Sequence, residues 1–137
     1  MPKGEPQAGA SGSADHLVGE GDLASVLANA PGEDYPRVFA TTRMIGLMEL
    51  ASGRVLLPIL EPGELSVGVL VEVRHTAATL PGGTVRAEAK YLGRSGKLYR
   101  FEVVASDGGG EVGRGFHERA IVRTERLIEG AKKRAAK

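Results

Sequence analysis

After Pro58 the hydrophobic period of this chain changes from 3.6 residues to 2, and it keeps that period through most of the remaining sequence. Before the change, Met44, Leu47, Met48, Ala51 and Val55 recur at helical spacing in a run that starts at Thr41 and is stopped by Pro58. After it, Leu65, Val67, Val69, Val71 and Val73 share one strand face, with His75 continuing it and Ser66, Gly68, Glu72 and Arg74 lying opposite. A second strand alternates Val85, Ala87, Ala89 and Tyr91 with polar residues, and a third places Tyr99, Phe101, Val103 and Ala105 on one side. A fourth runs over about residues 111–123. The turns at Pro81-Gly82-Gly83, Arg94-Ser95-Gly96 and Asp107-Gly108-Gly109-Gly110 read as hairpins, hence as an antiparallel meander. Strands that are apolar on one side need a cover, and one long apolar helix is available to provide it. The expected class is α+β: a curved antiparallel sheet wrapped around one central helix.

The flanks carry weaker patterns. Residues 1–14 are rich in Gly, Ala, Ser and Pro without periodicity, and read as a disordered leader. Residues 15–27 leave room for one short strand, and 29–36 are turn chemistry leading into the helix. The expected domain is 15–126, followed by a basic tail at 127–137 whose Lys132-Lys133-Arg134 cluster reads as solvated.

Composition removes several functions. Eighteen basic residues against 17 acidic ones leave no basic excess for a nucleic-acid surface. Without cysteine there is no disulfide, thiolate catalyst or Cys-ligated zinc, and His16, His75 and His117 have no metal-ligand spacing. No apolar run reaches the ~20 residues of a membrane span, and no secretory pattern opens the chain, so the expectation is a cytoplasmic protein without membrane or nucleic-acid partner.

Against this background the polar residues inside apolar segments stand out. Glu49 follows Met48 in the helix, where burial of a carboxylate demands a partner; at the helix edge it is instead solvated or paired with Arg43 or Arg54. Thr41 sits where a helix N-cap is expected, and His75 is either a satisfied strand-end histidine or a proton carrier. Gly68 reads as a strand bend or bulge or as a point of close approach, and Arg119 as a solvated or ion-paired strand residue. Gly108-Gly109-Gly110 precedes a strand and not a helix, so it is a hairpin before it is a phosphate cradle.

Three separated segments, Val38-Phe39-Ala40-Thr41-Thr42-Arg43-Met44-Ile45-Gly46-Leu47-Met48-Glu49, Arg74-His75-Thr76-Ala77-Ala78-Thr79-Leu80-Pro81-Gly82 and His117-Glu118-Arg119-Ala120, resemble the fluoroacetyl-CoA thioesterase family in the same order. The resemblance covers roughly residues 30–125. It implies the hotdog fold, a homodimer, and hydrolysis of acyl-CoA thioesters without metal or cofactor. The catalytic set it implies is Thr41, Glu49 and His75; it puts Gly68 near the thioester, Arg119 near the acyl pocket, and Tyr35 and Phe39 on the substrate side. One departure bears on substrate: Gly32 stands where the family's lid carries a phenylalanine, which implies a more open pocket of unassigned acyl preference.

The residue types suit that chemistry independently. Thioester hydrolysis needs a nucleophile, a base and donors to the oxyanion, and a carboxylate with a histidine can move the protons. Two readings compete: a non-catalytic acyl-CoA-binding hotdog protein, and an enoyl-CoA hydratase, whose paired acid and histidine on a loop after the helix are missing here. One geometric problem is visible already. Eight helical residues separate Thr41 from Glu49 by about 12 Å, so either Thr41 folds back ahead of the helix or a partner chain supplies one of the two.

Overall fold

The computed structural model describes residues 4–137. Strand β1 (Ser11–Leu17) is followed by short helical turns, helix α1 (Thr41–Leu56), four strands β2 (Glu64–His75), β3 (Thr84–Ser95), β4 (Leu98–Asp107) and β5 (Gly110–Arg123), and helix α2 (Thr124–Ala135). The five strands form one antiparallel sheet in the order β1-β3-β4-β5-β2. It curls around α1, whose Met44, Leu47, Met48, Ala51, Val55 and Leu56 are buried against Val85, Ala87, Ala89, Tyr91, Tyr99, Phe101 and Val103 of β3 and β4. This is the hotdog arrangement.

β3 and β4 alternate as their sequence predicts, with the apolar members buried. Three expectations change. First, ordered structure begins before residue 15: β1 starts at Ser11 and pairs with β3 from Ser11↔Lys90 to Leu17↔Thr84. The small residues that read as a leader are what close packing demands, because a Cβ on Gly12 would lie 2.5 Å from the Ala51 carbonyl oxygen of α1. Second, the meander is β3-β4-β5 only. The chain leaves β2 through Pro81-Gly82-Gly83, which docks on Val18 (Gly82 N–H to Val18 O, 2.8 Å; Val18 N–H to Gly83 O, 2.8 Å), and enters β3 beyond β4, while β2 pairs with β5. A Gly-rich turn that anchors a crossover has the same composition as a hairpin. Third, β2 does not keep one face. A bulge between Gly68 and Leu70 shifts the register, so Ser66 and Gly68 face the helix side before it and Val71, Val73 and His75 after it.

The expected tail at 127–137 lies mostly in α2, which is exposed after its first residue, Thr124, Lys132-Lys133-Arg134 included. Asp107 to Gly110 make a hairpin turn between β4 and β5.

Candidate active site

Thr41 is the first residue of α1, and the N-cap is Ala40, with no side-chain cap bond. The Thr41 hydroxyl is therefore not capping; it lies 2.8 Å from His75 Nδ1, 34 residues away at the end of β2. Burial pulls the His75 pKa below its usual value, with a hydrogen bond to the Ala77 backbone opposing in part, so the ring stays neutral at pH 7. Nδ1 is the ring nitrogen that faces Thr41, and Nε2 is buried without a hydrogen-bond partner among the described residues. A cleft of about 430 Å³ opens here, lined by Pro36, Val38, Phe39, Thr41, His75 and Ala77. Phe39 is buried and its ring stacks on His16 at 6.2 Å. Tyr35 is exposed, outside the cleft lining. Gly32 has φ of +89°, a backbone that an aromatic residue adopts only under strain.

Two helical turns further along α1, Glu49 builds a second cluster. It pairs with neither Arg43 nor Arg54, which turn to Asp22 (3.6 Å) and the Ser13 carbonyl (2.7 Å). Its Oε2 accepts from Arg119 Nη1 at 3.2 Å, and its side chain stays 39% exposed while that of Arg119 is 10% exposed. Arg119 is held from three sides: Nε donates to Ser66 Oγ (3.0 Å), Nη2 to the Ser66 carbonyl (3.0 Å), and Nη1 also contacts His117 Nε2 (3.1 Å). His117 Nδ1 lies 2.7 Å from the Leu70 carbonyl beside the bulge. Gly68 completes the cluster, since a Cβ there would stand 2.6 Å from Glu49 Oε2 and 3.2 Å from His117 Cε1.

Within the chain the candidate residues thus fall into two halves, Thr41–His75 and Glu49–Gly68–Arg119, about 12 Å apart by helical rise. Because Thr41 is already helical, folding back ahead of the helix does not join them. The sequence reading missed Ser66 and gave His117 no role. The available signal was the His-x-Arg spacing on a strand, which puts His117 and Arg119 on one face. No group of three or more His, Cys, Asp or Glu side chains among the described residues is placed to hold a metal ion.

A family profile described as fluoroacetyl-CoA-specific thioesterase matches residues 18–125. The chain belongs to that family. The fluoroacetyl-CoA thioesterase of Streptantibioticus cattleyicolor is 47% identical over 94 residues, 69% of this chain and 68% of that protein. A solved structure of a fluoroacetyl-CoA-specific thioesterase variant in complex with fluoroacetate and CoA superposes with a TM-score of 0.83 at 40% identity, covering 88% of this chain and 98% of that one. A hypothetical protein of Thermus thermophilus, a thioesterase superfamily member, superposes with a TM-score of 0.83 at 30% identity over 99% of this chain and 98% of its own. Family and fold together make this chain a hotdog thioesterase. Among the described residues no helix is long and apolar enough to cross a membrane.

Proposed function

We propose that the protein hydrolyses short acyl-CoA thioesters, fluoroacetyl-CoA among them, to the free acid and CoA, without a metal or cofactor. The observation that carries this reading is the 2.8 Å contact between the Thr41 hydroxyl and a histidine kept neutral by burial. A non-catalytic acyl-CoA-binding protein would have no use for a hydroxyl held against an imidazole nitrogen. Thr41 Oγ1 attacks the thioester carbon while Nδ1 of His75 takes its proton; the C–S bond breaks and the proton passes to the departing CoA thiolate. Glu49 then takes a proton from water, whose oxygen bonds to the acyl carbon as the ester C–O bond to Thr41 breaks; the acid leaves, and the proton is returned to Thr41 Oγ1. Gly68, without a side chain, leaves room for the thioester beside Glu49.

The reading needs a homodimer. β2 is an edge strand, and Val69, Leu70 and Val71 at its middle are 53%, 39% and 42% exposed. An unpaired apolar edge of this kind invites a second copy. Antiparallel pairing of two such edges about Val71 sets His75 opposite the partner's Val67, one residue from the partner's Gly68, and brings Thr41–His75 of one protomer to the partner's Glu49. Leu50 and Leu57, exposed on α1, would be covered in the same contact. For the nucleotide end of CoA, a cleft of about 600 Å³ near the end of β5 offers Arg94, Lys97, Arg123 and Arg126 over Tyr99 and Ile121, against one carboxylate, Glu64. Four cations beside an aromatic and an aliphatic side chain match phosphates and a base.

Release of free thiol from acetyl-, fluoroacetyl- and butyryl-CoA by the purified protein, followed with a chromogenic disulfide and repeated in EDTA, tests the proposal. Turnover insensitive to EDTA is expected. No thiol release from any of the three would overturn it.

A further inference from the structure

Arg119 and Glu49 have flexible side chains, yet the proposed chemistry asks both to stand still beside Gly68. The cluster contains one rigid buried group that touches both the arginine and the strand bulge. His117 is 1% exposed, and its two ring nitrogens have different partners. The Leu70 carbonyl can only accept, so Nδ1 at 2.7 Å from it carries the ring proton and donates. Nε2 is then a bare lone pair, and the Arg119 Nη1–H at 3.1 Å donates to it. Burial pushes the His117 pKa down; the hydrogen bond to the Leu70 carbonyl opposes it, the Arg119 charge adds to it, and Glu49 and Glu118 oppose more weakly, with the net direction downward, so the lone pair persists at neutral pH. The same Nη1 donates to Glu49 Oε2.

We infer that His117 is a positioning residue for the hydrolytic site: the Leu70 carbonyl fixes its tautomer, so that Nε2 stands as a buried acceptor for the Arg119 guanidinium and thereby holds Glu49 beside Gly68. The inference rests on the thioesterase reading for its kinetic consequence, but its geometric content stands apart from it. Of the five N–H groups of Arg119, Ser66 takes two, one through its hydroxyl and one through its carbonyl, and the two on Nη1 go to Glu49 Oε2 and His117 Nε2. Without an acceptor at Nε2, one Nη1 hydrogen loses its buried partner, and the guanidinium turns toward solvent or draws the carboxylate inward. Either movement displaces Glu49 Oε2 from its place beside Gly68.

Two conservative variants separate the two ring nitrogens. In His117→Asn the amide nitrogen occupies the place of Nδ1 and keeps the bond to Leu70, but nothing accepts from Arg119. In His117→Gln the amide oxygen reaches the place of Nε2 and keeps the acceptor. Both shorten or reshape a buried group, so both lower the melting temperature, and stability alone does not distinguish them. The expected result is that kcat falls about ten- to hundredfold in His117→Asn, with KM changed less, and is largely retained in His117→Gln. A second readout needs no turnover: hydrogen exchange of the Arg119 Nε–H, which is bonded to Ser66, stays slow in the parent and in His117→Gln and quickens in His117→Asn. Equal kcat in the two variants, or a loss that follows melting temperature in both, would overturn the positioning role, as would an equally protected Arg119 Nε–H in all three proteins. Absence of thiol release from the parent itself would count against the proposed reaction, with the exchange measurement still deciding the role of His117.

Discussion

The substitution Gly68→Ala adds one methyl group at the point where the carboxylate cluster is tightest. The new Cβ would lie 2.6 Å from Glu49 Oε2 and 3.5 Å from its Cδ, with His117 Cε1 at 3.2 Å. Ordinary contact begins near 3.4 Å, so Oε2 must retreat by about 0.8 Å. Its bond to Arg119 Nη1 is already long at 3.2 Å, and a retreat of that size away from Arg119 takes it to about 4 Å, beyond hydrogen-bond range. The cost to folding is small. The carboxylate is 39% exposed and can swing into water, and a partly exposed ion pair contributes about 0–1 kcal/mol. Gly68 is not among the glycines with positive φ, so alanine fits the backbone, and a strand alanine recovers about 0.5–1 kcal/mol of chain entropy. Stability should therefore change by no more than about 1 kcal/mol, whereas a catalytic group displaced by nearly an ångström costs about 10²-fold in kcat. Thermal unfolding and steady-state thiol release on the same preparation measure both. A Gly68→Ala protein that melts like its parent and turns over at the parent rate would show that the position of Glu49 beside Gly68 is irrelevant to the reaction.

Thr41→Val should abolish most turnover while leaving the melting temperature within a degree or two, because Ala40 and not Thr41 is the cap; a loss of about 1 kcal/mol in stability with full activity would restore the capping reading. His75 and His117 both have pKa values below the ordinary 6.5, so the unfolded chain binds protons that the folded chain refuses: the stability they contribute is complete above pH 6.5 and is lost as pH falls through the lowered values. Melting temperatures measured from pH 7.5 to pH 5 should decline, with a shallower decline in His117→Gln; a flat profile would refute the assignment of neutral buried rings. Charge reversal at the cleft, Arg123→Glu with Arg126→Glu, should raise KM for a CoA thioester by tenfold or more and leave the KM of the corresponding pantetheine thioester unchanged, and equal effects on both substrates would place the nucleotide elsewhere. With Gly32 in an open loop and Tyr35 exposed, the preference for fluoroacetyl-CoA over acetyl-CoA should stay within roughly the 10–200-fold that a hydrophobic contact supplies, and a preference of 10⁴-fold in kcat/KM would locate discrimination outside the lid.

What could be read from the residues divides along a physical line. β3 and β4 were legible because each buries every second side chain against one helix, and a two-residue period survives any connection between strands. β1 was not, since a strand that passes within contact distance of a helix backbone is built from Gly, Ser and Ala, and these are also the residues of a chain that packs against nothing. In β2 the apolar residues at 65, 67, 69, 71 and 73 look like one face, but the single unpaired residue at the bulge inverts the parity, and a bulge leaves no mark in hydrophobic pattern. That inversion is what assembles the candidate site. It lets Gly68 face Glu49 from one half of the strand while His75 faces Thr41 from the other, an arrangement that strict alternation would forbid because 68 and 75 differ by an odd number. The contacts that matter most join residues 34 and 70 positions apart, Thr41 with His75 and Glu49 with Arg119, and only the curl of the sheet around α1 brings them together. The resemblance to a known family named those residues without explaining their placement. The explanation is the bulge together with the His117 ring that clamps its Leu70 carbonyl, so the irregularity in the strand and the order in the carboxylate cluster are one feature.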